Sequence, residues 1–76
     1  MAQAVLRGEM RHEIEIGITR LPEELRPTLI LRDIEGLSTS ETAAALEISE
    51  PNVKSRLHRA RALLRRHLGT LLAADE

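Results

Sequence analysis

The chain has 76 residues, 42 % of them hydrophobic and 30 % charged, the balance of one small globular domain and not of a disordered tail. It contains no Phe, Tyr, Trp or Cys, which excludes a disulfide framework, a cysteine-ligated zinc and an aromatic platform for stacking bases. The net charge of −1 hides a division: residues 1–50 hold five basic and ten acidic side chains, whereas residues 51–74 hold six basic ones and no acid.

No apolar run approaches the ~18 residues that a membrane span needs, and residues 1–6 are too short an apolar stretch for a secretory leader. The sequence therefore reads as cytoplasmic, with no membrane partner. In chain order, Met10, Ile14, Ile18 and Leu21 stand at helical spacing and predict a first helix over about residues 3–19. Gly17 lies on the same side and Ile16 off the stripe. A second helix is expected from Pro22, a favoured first position, with Glu23 and Glu24 at its positive end. It carries Leu25, Leu29, Ile30, Leu31 and Ile34 and stops at Gly36, which suits the left-handed position after a helix, so that Leu37 folds back on Leu31. Pro27 predicts a kink or a loosened first turn, because it lacks an N–H and its ring disturbs the ladder.

Ser38-Thr39-Ser40-Glu41 fits a capping box and opens a third helix through Ala43, Ala44, Ala45 and Leu46. After the short break at residues 47–49, Ser49 caps a fourth helix with Pro51 in its first turn. That helix is expected over about residues 50–68, ending at Gly69, with Val53, Leu57, Ala60, Leu64 and Leu68 as its buried stripe. The opposite face then holds Asn52, Ser55, His58, Arg59, Ala62 and Arg66, flanked by Lys54, Arg61 and Arg65.

Two helices joined by a tight break, the second long and basic, describe a helix-turn-helix over about residues 38–68. A DNA major groove ~12 Å wide admits one helix, whose exposed N-terminal side chains reach base edges. Arginines further along meet phosphates and release counterions. A solvated basic face that only complements the helix dipole is the plainer reading. Six cations with no acid on their own segment weigh against it.

The run over residues 21–68 resembles region 4, the C-terminal domain of bacterial RNA polymerase sigma factors, in its extracytoplasmic-function (ECF) form. The resemblance rests on Leu21-Pro22-Glu23-Glu24-Leu25-Arg26, on Leu31-Arg32-Asp33-Ile34-Glu35-Gly36-Leu37-Ser38, and above all on Val53-Lys54-Ser55-Arg56-Leu57-His58-Arg59-Ala60-Arg61. It implies an all-α, four-helix domain, of winged-helix-like architecture with a C-terminal helix-turn-helix. Such a domain recognises the promoter −35 element in double-stranded DNA and docks on the β-subunit flap of RNA polymerase. The family's recognition-helix contacts fall on Lys54, Ser55, Arg56, His58 and Arg59, with Arg61 on a phosphate. Asn52, Arg65 and Arg66 complete the expected DNA-facing set.

Two residues depart from the family pattern. Thr42 stands where a larger aliphatic is usual, so its contact should be weaker. Glu47 stands where glycine is common, at ~1 kcal/mol if the position is left-handed. LuxR-type helix-turn-helix proteins share Glu-Gly-Leu-Ser and the Val-Lys pair, but the residues after Lys54 follow the sigma pattern instead. A further alternative is a sigma-like module that binds an anti-sigma factor.

No catalytic or cofactor site is expected. His58 and His67 face opposite ways on one helix and cannot share a metal. Ser55 and His58 have no carboxylate on their helix to orient the histidine, and the isolated glycines form no phosphate-cradling loop. The whole chain is expected to be one region 4-like domain excised from a longer protein, with residues 1–8 as a linker remnant.

Overall fold

The computed structural model describes the backbone of residues 2–74 and the side chains of residues 8–69. Among the described residues the chain is all-α, with no strand: α1 (Ala2–Thr19), α2 (Arg26–Leu29) continued by a π-helical turn (Ile30–Ile34), α3 (Thr39–Leu46) and α4 (Glu50–Ala74).

α2 begins at Arg26 and not at Pro22. Residues 22–25 instead form a turn in which the Leu25 N–H donates to the Pro22 carbonyl at 2.9 Å. Pro27 explains the delay: in a helix begun at Pro22 it would sit past the first turn, where its missing N–H and its ring break the ladder. Started at Arg26, the helix has the proline in its first turn, where no N–H is needed. The π turn then closes with the Glu35 N–H on the Ile30 carbonyl, five residues back, at 2.8 Å. This wider turn advances each residue through a smaller angle. Ile34, at the end of this turn, is 58 % exposed.

Gly36 takes the left-handed conformation, φ +78°, and the Leu37 N–H reaches the Leu31 carbonyl, six residues back, at 2.9 Å, one residue further than the closing bond of a Schellman motif because the turn before it is π-helical. The Arg32 guanidinium donates to the Leu37 carbonyl at 2.5 Å, fixing the chain as it leaves. The capping box forms as spaced: Glu41 N–H to Ser38 Oγ is 3.1 Å and Ser38 N–H to Glu41 Oε1 is 2.8 Å. That backbone N–H is the main reason the Glu41 carboxyl titrates below its ordinary range. α3 ends at Glu47, left-handed with φ 57°, a conformation that crowds its Cβ.

The core gathers Ile18, Leu21, Leu25, Leu29, Leu57 and Ala60, with Ile14, Ile30 and Leu64 packed at its edge. Met10 from the expected α1 stripe is 40 % exposed and lies outside the core. α1 comes so near α4 at Gly17 that a Cβ there would stand 2.6 Å from Leu64 Cδ1 and 3.0 Å from His67 Cδ2. The helix-weakening glycine is thus the residue that permits the crossing. Thr28 and Thr42 are fully buried, and the hydroxyl of each lacks a hydrogen-bond partner. α4 does not stop at Gly69 but runs through it to Ala74. A glycine costs a helix only ~1 kcal/mol relative to alanine, and Leu71, Leu72, Ala73 and Ala74 beyond it are strong helix formers.

Candidate nucleic-acid interface

The connection between α3 and α4 is short and specified at both ends. Ile48 N–H returns to the Ala43 carbonyl at 3.0 Å, and Ser49 Oγ accepts from the Asn52 N–H at 3.2 Å, so α4 starts at once from a capped end. Val53, Leu57 and Ala60 are buried and hold α4 against the core. With that stripe inward, Asn52, Lys54, Ser55, His58, Arg59, Arg61, Arg65 and Arg66 are all exposed. Arg56 is the exception in the expected set. It is half-buried, and its Nη1 donates to the Glu24 carbonyl in the turn before α2 at 3.4 Å.

Arg61 and Arg59 have acidic neighbours from outside α4. Arg61 meets Asp33 of the π turn through two parallel bonds, Nε to Oδ2 at 2.9 Å and Nη2 to Oδ1 at 2.6 Å. The Arg61 hydrogen bond holds the Asp33 carboxyl below its ordinary value, and the same bond raises the arginine. Arg59 stands 3.9 Å from Glu24, with both side chains about three-fifths exposed. An ion pair so exposed contributes at most ~1 kcal/mol and is easily exchanged for another anion. His67, facing α1, has Nε2 at 3.6 Å from Glu13, beyond hydrogen-bond reach. Among the described residues no three His, Cys, Asp or Glu side chains come together as metal ligands, and no helix is long and apolar enough to cross a membrane.

What the arrangement can do is bind a polyanion along one helix. The N-terminal half of α4 exposes short polar and cationic groups, and its C-terminal half exposes guanidinium groups. Residues 13–64 match the family described as Sigma-70, region 4. The chain belongs to that family. Over 70 residues, 92 % of this chain and 36 % of the relative, the region 4 chain is 39 % identical to the RNA polymerase sigma-H factor of Pseudomonas aeruginosa. It is 43 % identical over 71 residues (93 % and 36 %) to the ECF RNA polymerase sigma factor SigM of Mycobacterium tuberculosis. With the ECF RNA polymerase sigma factor SigW of Bacillus subtilis it shares 37 % over 68 residues (90 % and 36 %). The chain spans about a third of the length of these relatives. The family match sets aside the LuxR-type alternative.

Sequence reasoning missed Asp33 and Glu24 as neighbours of the α4 cations. Both lie in runs that carry the family resemblance, but no helical spacing links residues 28 positions apart, as Asp33 and Arg61 are. The available signal was compositional: the acids absent from residues 51–74 are abundant before them.

Proposed function

We propose that this region 4 domain recognises the −35 element of promoters as part of an ECF-type sigma factor, inserting the N-terminal half of α4 into the major groove while docked on the β-subunit flap of RNA polymerase. It works by binding, in the bacterial cytoplasm at the nucleoid, and performs no reaction of its own. The whole chain is one region 4 domain, in which residues 2–8 belong to α1. The observation that carries this reading is the outward set Lys54, Ser55, His58 and Arg59 on a helix capped directly after α3. A module that only bound an anti-sigma factor would have no need for six cations and no acid over residues 51–74.

Arg59 is assigned the base contact. A guanidinium can pair with guanine O6 and N7 at once, worth ~1–3 kcal/mol of discrimination, once the loose Glu24 contact is given up. The test is selection of bound duplexes from a random-sequence library, then salt titrations on a selected and a scrambled duplex. Arg59→Ala should keep the fold and lose more affinity on the selected duplex. Arg59→Lys should restore scrambled-duplex binding better than selected-duplex binding, since lysine lacks the planar fork. Equal losses on both duplexes would make Arg59 a phosphate contact, and failure to enrich any sequence would overturn promoter reading by this domain.

A further inference from the structure

Asp33 sits outside the recognition helix, yet it grips the guanidinium of Arg61 on both bonds of one edge, Nε and one Nη2 hydrogen. That leaves Nη1 and the second Nη2 hydrogen on the edge turned away from Asp33, on a side chain still 48 % exposed. Helical spacing sets Arg61 in one row with Lys54, His58 and Arg65, at i−7, i−3 and i+4. The row ascends α4 at ~1.5 Å per residue, so Lys54 and Arg61 are ~10 Å apart along the axis. Asp33 in turn is not free to follow a moving arginine. It belongs to the π turn, closed by the Glu35–Ile30 bond at 2.8 Å and by Arg32 on the Leu37 carbonyl.

We propose that Asp33 is a positioning residue for DNA binding: it fixes Arg61 so that the outer edge of the guanidinium meets a backbone phosphate alongside the Lys54–His58–Arg65 row. This rests on the DNA-binding reading above. The sign of its effect separates it from simple electrostatics. An acid close to a phosphate-facing row repels DNA, so removing its charge raises affinity if charge is all that matters. If Asp33 positions Arg61, removing it lowers affinity, because a long side chain must then be immobilised on binding.

The experiment measures the salt dependence of binding of the 76-residue chain to a duplex of random sequence, for the wild type, Asp33→Asn, Arg61→Ala and the double variant, with helicity checked at the assay temperature. Asp33→Asn is expected to weaken binding about 2- to 10-fold, the range for ordering one flexible side chain. Arg61→Ala is expected to reduce the slope of log K against log salt by ~0.9, one phosphate contact. In the Arg61→Ala background, Asp33→Asn should cause no further loss. Tighter binding by Asp33→Asn, with a slope steeper by ~0.9, would overturn the proposal and make Asp33 a mask on Arg61. If Asp33→Asn does not fold, Arg61→Lys decides: it keeps the charge and loses the two-bond edge, so a 2- to 10-fold loss supports positioning and wild-type binding refutes it. A wild-type chain that binds no duplex even at low salt would instead remove the DNA-binding reading itself.

Discussion

Thr42→Val should make the domain more stable. Thr42 is 0 % exposed, and its hydroxyl has no hydrogen-bond partner. Valine has nearly the same shape and puts a methyl where the hydroxyl was. Helix propensity does not decide the outcome, since threonine and valine rank together. What changes is the cost of keeping a desolvated hydroxyl unpaired, ~1–3 kcal/mol. A domain of this length has ~4–11 kcal/mol of stability in all, so the gain is a sizeable fraction. At ~4–8 °C per kcal/mol for a domain of 60–100 residues, the midpoint should rise by at least about 4 °C. Far-UV circular dichroism melts and urea titrations of the two chains measure it. Thr42→Ser is the control: it keeps the hydroxyl, drops the methyl and should lower the midpoint. A Thr42→Val midpoint equal to or below that of the wild type would show that the hydroxyl is satisfied, and the packing argument for this face of α3 would fail. DNA affinity should not change, because the substitution is buried on α3.

Glu47→Gly should stabilise the chain by ~1 kcal/mol, since only the side chain makes φ 57° costly; an unchanged urea midpoint would place the strain elsewhere. Leu57→Asp sets a charge where 6 % of the residue is exposed and should abolish the cooperative melt; retained helicity with DNA binding would refute the assigned inner face of α4. Asp33 has a folded-state pKa below its ordinary 3.8, so the folded chain binds fewer protons than the unfolded one on the acid side. Its contribution is complete above the ordinary carboxyl value and is lost as pH falls through the depressed one. The thermal midpoint should therefore drop on acidification below about pH 4, and Asp33→Asn should flatten that drop; identical acid limbs would mean that the pair with Arg61 does not form in solution.

Much of the fold was legible because its signals are local. The capping box at Ser38, the serine before α4, the left-handed Gly36 and the Val53–Leu57–Ala60 stripe each depend on residues within a turn or two. The segment before Gly36 was misread for a physical reason. Pro22 and Pro27 both suit a first helical turn, and only one of them can occupy it; packing of Leu25 and Leu29 into the core accompanies the later start. The π turn has no sequence pattern of its own. Asp33 within it stands where α4 can reach it, and Ile34 at its end is exposed. Gly69 is a weak stop signal, and the helix-forming residues after it carry α4 through to Ala74.

The candidate site shows the same division between local and distant information. Which α4 residues face outward follows from period and one buried stripe, and the structure agrees for every member of the expected set but Arg56. How those residues are paired does not follow from α4 at all. Counted on its own segment, each of the six cations is available for DNA. In the folded chain Arg61 is held by two bonds, Arg59 loosely by an exposed carboxylate, and Arg56 by a backbone carbonyl. The acidic first half of the chain thus acts on the basic helix residue by residue. A single number for the basic charge of α4 would overestimate its salt-dependent attraction to DNA wherever an acid, and not a phosphate, neutralises the cation in the complex. It would also miss the distinction between a cation neutralised by its acid and one oriented by it, which rests on the guanidinium edge that each bond occupies.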